Sequence, residues 1–167
     1  ALTLRAEGDL NINGTLSDGF VTNVSNTAVS RDAKLATSGD SWTYRLVAGA
    51  DTAAASLLET RESAVNGSIT VATNKIVRTG TGDIDMAARR DIKLFDRAAV
   101  YTAGIAASSH PDGFSPINGA SSQNSISSIF PDGGGDVTLT AGERIVMVST
   151  GTTPATEKDP VGRGINQ

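Results

Sequence analysis

Short apolar segments recur in pairs along the chain, and the second segment of a pair begins eight residues after the first. Three pairs keep this offset: residues 2–4 with 10–12, 84–86 with 92–94, and 137–139 with 145–147. A looser fourth copy joins residues 69–71 to Val77. Each segment reads apolar, variable, apolar, which is the period of a β-strand with one buried face. The pattern predicts short strands rather than helices.

A five-residue linker joins the two segments in each of the three regular pairs, and its second residue is always alanine: Ala6, Ala88 or Ala141. Such a linker is too short for the crossover helix that joins parallel strands within one sheet. The chain must therefore turn a corner and continue on a different face. Turns stacked strand over strand, about 4.8 Å apart, predict an all-β parallel β-helix, or solenoid, with a narrow apolar core. The alanines would fill the corners, where two walls converge.

Other stretches fit the same architecture. Residues 99–102 and 148–150 predict a third face, and the alternating stretch 42–48 predicts one further strand. Residues 53–59 fit either a short helical turn or a loop. The turns at both ends of such a stack have unpaired strand edges, which predicts either a continuing chain or end-to-end self-association.

We expect residues 1–167 to form a single β-helical segment of a longer chain, because the sequence begins without methionine and inside a predicted strand. Two irregular loop excursions, at about 13–66 and 105–134, interrupt the repeats. Residues 151–167 are interpreted as a polar tail.

Composition narrows the class of protein. The 167 residues include only 1 Trp, 2 Tyr and 4 Phe, which are few aromatic side chains for a thick globular core. The formal net charge of −4 argues against electrostatic binding to nucleic acid or to an anionic membrane surface. No apolar run approaches the roughly 18 residues of a membrane span, and the lack of cysteine excludes disulfides and thiolate metal sites. We expect no nucleic-acid partner and no membrane span.

Several of these segments resemble the repeats of the filamentous haemagglutinin-like exoproteins. The similar segments are residues 41–51, 80–92, 100–104 and 133–142. The resemblance covers most of residues 1–150. Arg89 and Arg90 depart from it, because the family's repeats have a small residue after the double alanine.

The resemblance implies a right-handed β-helix in a very large protein that Gram-negative bacteria secrete by a two-partner route, through an outer-membrane secretion partner. Such proteins are displayed at the bacterial cell surface for adhesion, aggregation or toxin delivery. The implied function is structural and adhesive, without enzymatic activity: an extracellular rigid rod presents loops to an unidentified receptor or glycan on a host or bacterial cell. A passive scaffold whose parent chain makes the receptor contacts elsewhere is a further interpretation.

Trp42 and Tyr44 are the candidate glycan contacts, since aromatic rings stack on sugars. The two residues lie two positions apart, so they would share one face of a strand with Leu46. That face fits a buried position in the core better than it fits a sugar platform. His110, the only histidine, lies in a loop rich in serine and proline, and we interpret it as solvated rather than catalytic.

The alternative function is a carbohydrate-active enzyme on the same scaffold, such as a polysaccharide lyase or a phage tailspike. Enzymes of this kind use aspartates for calcium and a basic residue for proton abstraction, and Asp83, Asp85 and Asp91 lie close to two arginines in the sequence. Asp83 and Asp91 also stand at predicted corners, where aspartate commonly bonds local amides. Residues 80–85 resemble one imperfect copy of a calcium-binding repeat. That repeat binds calcium where consecutive copies stack, and here a single copy stands alone. We predict no catalytic residue, metal or cofactor.

Overall fold

The structure, a computed structural model, describes residues 1–21, 34–36, 38–105 and 133–148. All regular secondary structure in these ranges is β. The described residues contain no helix of the length and apolarity that a membrane crossing requires. The strands are β1 (Leu2–Ala6), β2 (Leu10–Ile12), β3 (Leu16–Ser17), β4 (Phe20–Val21), β5 (Lys34–Leu35), β6 (Tyr44–Ala48), β7 (Ile69–Val71), β8 (Ile76–Thr79), β9 (Ile84–Ala88), β10 (Asp91–Phe95), β11 (Ala99–Thr102), β12 (Val137–Ala141) and β13 (Arg144–Val148).

Most of these strands belong to three sheets in which every pairing is parallel. The first sheet has the order β1-β6-β9-β12, the second β2-β7-β10-β13 and the third β3-β8-β11. The chain visits the first, second and third sheets in turn and then repeats that order. Each circuit adds one strand to each sheet, except that the described part of the fourth circuit has no strand in the third sheet. We call the four successive strand sets β1-β2-β3, β6-β7-β8, β9-β10-β11 and β12-β13 passes one to four. This all-β, parallel arrangement is compatible with the predicted β-helix.

Residues of the same kind lie in register across successive passes. In the first sheet Leu4 pairs with Leu46, Leu46 with Met86, and Met86 with Leu139. The prediction that Leu4, Met86 and Leu139 turn toward an apolar interior is confirmed, because Met86 is buried and the two leucines pack against the main core cluster. The corner alanines form a matching column: Ala6, Ala48, Ala88 and Ala141.

The main core cluster draws side chains from all three parallel sheets. Its members are small and medium aliphatic residues in the main, as the sequence pattern predicts. Met86 from the first sheet, Ile92 from the second and Val100 from the third are examples, and each is at most 1 % exposed. A fully buried side chain of this size stabilises a fold by about 1.5–3 kcal/mol.

The assignment of residues 69–71 to the first arm of a repeat is wrong. These residues form β7 in the second sheet, where they pair with β2 and β10. The first-sheet strand of pass two is instead β6, which lies inside the predicted excursion 13–66 and pairs with β1 and β9. The eight-residue offset fails here because a long insertion separates β6 from β7.

Other expectations are met, are wrong in part or lie outside the described residues. The third face is confirmed for residues 99–102, since Ala99–Thr102 forms β11 in the third sheet. It is wrong for Val148, which ends β13 in the second sheet and pairs with Phe95. Residues 53–59 consist of turns and bends, which agrees with the loop interpretation. Outside the described residues lie His110, residues 149–150, most of the excursion 105–134, and the tail 151–167.

The outer face of the third sheet is covered rather than solvated. Antiparallel strands β4 and β5 bring Phe20 and Leu35 into a second apolar cluster with Ile76, Ala99, Tyr101 and Ala103. Arg78 is buried there, with its guanidinium 3.8 Å from the centre of the Phe20 ring. Arg78 Nη1 also donates a hydrogen bond of 3.0 Å to the Tyr101 hydroxyl. These contacts satisfy a cation that would otherwise be costly to bury.

Candidate binding surface

One corner of the fold carries a long insertion. The corner between the first and second sheets consists of residues 7–9 in pass one, 89–90 in pass three and 142–143 in pass four. In pass two the same corner runs from residue 49 to residue 68. We call residues 49–68 the corner loop. The strands on both sides keep their register, so the loop projects from the stack without disturbing it.

The base of the corner loop is closed by two glycines. Gly49 and Gly67 have φ values of +68° and +132°, which residues with a side chain rarely adopt. A Cβ atom on Gly67 would lie 2.8 Å from Gly49 Cα and 2.8 Å from Arg89 Cβ. The two limbs are joined by hydrogen bonds, in which Arg61 N donates to Gly49 O at 2.8 Å and Asp51 N donates to Glu59 O at 3.0 Å. The loop therefore has a narrow and fixed neck.

Arginines of pass three hold the returning limb of the corner loop. Arg89 Nε and Nη2 donate to the backbone oxygen of Glu62 at 3.1 Å and 2.9 Å. Arg90 Nη1 donates to the backbone oxygen of Val65 at 3.1 Å, while Arg90 Nε lies 2.8 Å from Glu143 Oε1. Both side chains thus reach the insertion from the neighbouring pass.

Pass one holds the other limb. Arg5 Nη2 donates a hydrogen bond to the backbone oxygen of Asp51. Thr52 Oγ1 donates to Glu7 Oε1 at 2.8 Å, and Arg61 Nη2 lies 3.8 Å from the same oxygen. The loop is thus held by charged side chains from the passes on both sides of it.

Apolar side chains of the corner loop face solvent even though its backbone is held. Leu57 and Leu58 are exposed, and Val65 is 80 % exposed. Ala50, by contrast, is buried against Val47 and Ala87, which lie on the outer face of the first sheet. Because most of the anchoring contacts use backbone atoms, the outward side chains remain available to a partner.

The structure separates Trp42 from Tyr44. Tyr44 opens β6 and is buried at 4 % exposure in the main core, and burial raises the pKa of its hydroxyl to about 12. Trp42 precedes the strand and is 59 % exposed. The prediction that they share one face is therefore wrong, because the strand alternation begins only at Tyr44. Trp42 N donates to Asp18 Oδ2 at 2.6 Å, which fixes the backbone beneath the exposed indole.

The corner aspartates connect neighbouring passes. Asp9 Oδ1 accepts hydrogen bonds from Gly67 N at 2.9 Å and Ser68 N at 2.8 Å, and these bonds lower the pKa of Asp9. Asp83 Oδ1 accepts a hydrogen bond from Asp136 N at 2.9 Å. Aspartates do bond amides at corners, as predicted, but the expectation that these amides are local is wrong. Each carboxylate reaches the next pass.

The remaining aspartates have basic partners. Asp91 is buried and accepts hydrogen bonds from Arg144 Nε at 3.1 Å and Nη2 at 3.2 Å, while Lys93 Nζ lies 3.0 Å away. The Arg144 and Lys93 contacts lower the pKa of Asp91 to about 2. Asp85 Oδ2 lies 3.8 Å from Arg45 Nε. Within the ranges that the structure describes, no three metal-ligating side chains come together.

The sequence pointed to Arg89 and Arg90 only as basic neighbours of the aspartates in the alternative enzyme, and not as side chains that hold a loop. Burial of Arg78 was not predicted, because an arginine between Val77 and Thr79 in a strand gives no signal of it. Comparison with known proteins found no matching family model, no matching curated protein and no matching solved structure.

Proposed function

We propose that this chain is a section of a right-handed parallel β-helical shaft, of the filamentous haemagglutinin-like type, in a secreted exoprotein of the bacterial surface. The parallel sheets, the repeated order of their strands and the continuous columns of like residues support the shaft. The repeat segments that resemble this family support the secreted, surface-displayed setting, with export through an outer-membrane partner. The shaft is a structural element, and its function is to hold binding loops away from the cell.

The adhesive part of the proposal depends chiefly on the corner loop. Three corners at the same position need only two or three residues, whereas pass two uses residues 49–68. An insertion that is held by both neighbouring passes, and still presents Leu57, Leu58 and Val65 to solvent, has the properties of a preorganised binding loop. The exposed indole of Trp42 adds a flat aromatic surface of the kind that stacks on a sugar ring. Weak contacts of this kind, repeated along a rod, add to strong attachment.

The first test removes the corner loop. In one variant, residues 49–68 are replaced by Glu-Gly-Asp, the sequence of the equivalent corner at residues 7–9. We expect binding to host or bacterial cells to fall at least about tenfold, which corresponds to about 1.4 kcal/mol. Circular dichroism should show that the strands remain. Undiminished cell binding by a folded loop-less variant would contradict the adhesive role of the loop.

The second test concerns the indole and uses a glycan array. We expect Trp42→Ala to lose glycan signals that the unaltered chain gives, and Trp42→Phe, which keeps an aromatic face, to retain part of them. Equal signals from Trp42→Ala and the unaltered chain would remove Trp42 from the binding surface.

A further inference from the structure

The corner loop has a turn whose two central residues are leucines. Glu59 N donates a hydrogen bond of 3.3 Å to Ser56 O, and this bond closes the turn. Leu57 and Leu58 lie at its centre and are 45 % and 36 % exposed. The neck of the loop begins where the turn ends, because Asp51 N donates to Glu59 O. We call residues 56–59 the loop tip, and its backbone holds both leucines in place before any partner binds.

The arginines next to the corner loop are engaged in holding it. Arg5, Arg89 and Arg90 each donate to a backbone oxygen of the loop. Arg61, the only basic residue in the sequence of the loop itself, lies 3.8 Å from Glu7 Oε1. The positive charge around the loop is therefore directed toward the fold.

Two acidic side chains of the corner loop are not engaged in this way. Glu59 ends the loop tip, Glu62 follows three residues later, and both residues are exposed. In the part of the chain that the structure describes, neither carboxylate has a hydrogen bond or an ion pair. The short segment that presents the leucines thus also carries two negative charges that no described cation neutralises.

We propose that the loop tip binds a protein whose surface has an apolar pocket bordered by lysine or arginine side chains. The pocket takes Leu57 and Leu58, and the basic side chains pair with Glu59 and Glu62. Burial of the leucines supplies affinity, while the opposite charges orient and speed association. This inference rests on the proposed adhesive function and adds the chemical class of the partner.

Other molecules of a cell surface fit these side chains less well. Sulfated or sialylated glycans and anionic lipid headgroups would be repelled by two carboxylates. A neutral glycan has neither a cation for the carboxylates nor an apolar pocket for branched aliphatic side chains. The corner loop also contains no aromatic residue that could stack on a sugar ring. A protein can provide both the pocket and the cations.

The first comparison tests the leucines. Fluorescently labelled chain is titrated onto cultured epithelial cells and onto Gram-negative bacterial cells, and flow cytometry gives the apparent affinity. We expect Leu57→Ser combined with Leu58→Ser to weaken binding at least about tenfold. Ala53→Ser combined with Ala55→Ser is the matched control, because these exposed alanines lie in the same loop and offer little apolar area.

The second comparison tests the charges. Glu59→Gln combined with Glu62→Gln keeps the shape of both side chains, and we expect roughly threefold to tenfold weaker binding at about 0.05 M salt. Binding by the unaltered chain should weaken as salt increases, and binding by this variant should change less, because screening acts on the charges. Asp96→Asn combined with Asp136→Asn removes two exposed carboxylates outside the loop and should leave binding unchanged.

Treatment of the cells tests the class of the partner. We expect trypsin treatment of the cells to abolish binding, and periodate oxidation of their glycans to leave it. Binding that survives trypsin, or that periodate removes, would overturn the proposal. Equal binding by either loop variant and its control would overturn it as well, provided that circular dichroism shows the strands of each variant intact.

The loop-less variant, measured in parallel, separates this inference from the adhesive function. If that variant loses binding while the leucine and glutamate variants keep it, the adhesive function stands and the inferred partner chemistry is wrong. If the unaltered chain binds neither kind of cell, both are wrong.

Discussion

Individual aspartate side chains at the corners add hydrogen bonds between passes, beside the backbone hydrogen bonds that pair the strands. Asp9 and Asp83 stand at different corners, yet each accepts a backbone N–H from the neighbouring pass. Such charge-assisted bonds satisfy corner amides that the sheets leave without a strand partner. The presence of aspartate at corners was predictable from the sequence. The identity of the amide was not, because it lies on a segment more than fifty residues away.

The lowered pKa of Asp91 makes the free energy of unfolding depend on pH in the acid range. Its pKa is about 2 in the folded chain, compared with an ordinary value of 3.8. A lowered pKa means that this carboxylate stabilises the fold fully above about pH 4, and that its contribution is lost as the pH falls toward about 2. Thermal unfolding followed between pH 7 and pH 2 should therefore show a smaller acid-induced loss for Asp91→Asn than for the unaltered chain.

The charged partner gives a second comparison for the same prediction. Arg144→Gln removes the guanidinium that makes the largest contribution to the lowered pKa of Asp91. We expect this variant to be less stable at pH 7 and also to lose less stability on acidification. If both variants respond to acid just as the unaltered chain does, Asp91 is not the group responsible.

The corner loop shows how an element is fixed by its neighbours. Its own sequence leaves a short helical turn and a loop equally open over residues 53–59, and the structure has only turns, bends and one isolated antiparallel bridge, between Ala50 and Thr60. Its conformation comes from the glycine neck and from the arginines of adjacent passes. A loop sequence by itself does not contain this information, since the anchoring side chains belong to other elements.

Removing one anchor should loosen the loop without unfolding the strands. Arg89 gives two hydrogen bonds to Glu62 O, and hydrogen bonds from charged groups contribute about 1.5–3 kcal/mol when well formed. Because Arg89 is only partly buried, its hydrogen bonds should contribute less than that range. We therefore expect Arg89→Ala to speed chymotrypsin cleavage after Leu57 or Leu58 by roughly threefold to tenfold. Arg45→Ala is the control, because Arg45 pairs with Asp85 away from the loop. Equal cleavage rates in both variants would show that Arg89 does not hold the loop.

The whole molecule is stabilised by interior columns that run through all passes. Residues in the middle passes have a described pass on both sides, whereas those in pass four have a described pass on one side only. The chain's two methionines report this difference, since Met86 is 1 % exposed and Met147 is 45 % exposed. The loss of unfolding free energy on shortening a side chain to alanine should therefore depend on how deeply the residue is buried, and not on residue type.

The methionine pair provides the measurement. Met86→Ala leaves a cavity between passes and should lower the free energy of unfolding by about 2–5 kcal/mol. Met147→Ala removes the same atoms at the edge and should cost less than half as much. Urea unfolding compares the two variants. Similar losses would contradict the conclusion that burial decides the cost of truncation.

The sequence by itself determined the strands of the regular pairs, their buried faces and the alanine corners. These features depend on the two-residue period of a strand and on linker length, and both are local properties. It also indicated a stacked parallel architecture, since short linkers leave few other arrangements for paired apolar segments.

The tertiary structure decided which segments become neighbours. The corner loop separates β6 from β7, and for this reason the eight-residue offset predicted the wrong sheet for β7. The parallel pairings with β2 and β10 show that β7 belongs to the second sheet. Burial of Arg78, exposure of Trp42 and the reach of Arg89 likewise depend on side chains from distant parts of the chain. A period along the sequence identifies which face of a strand is apolar, but only the packed fold determines what covers that face.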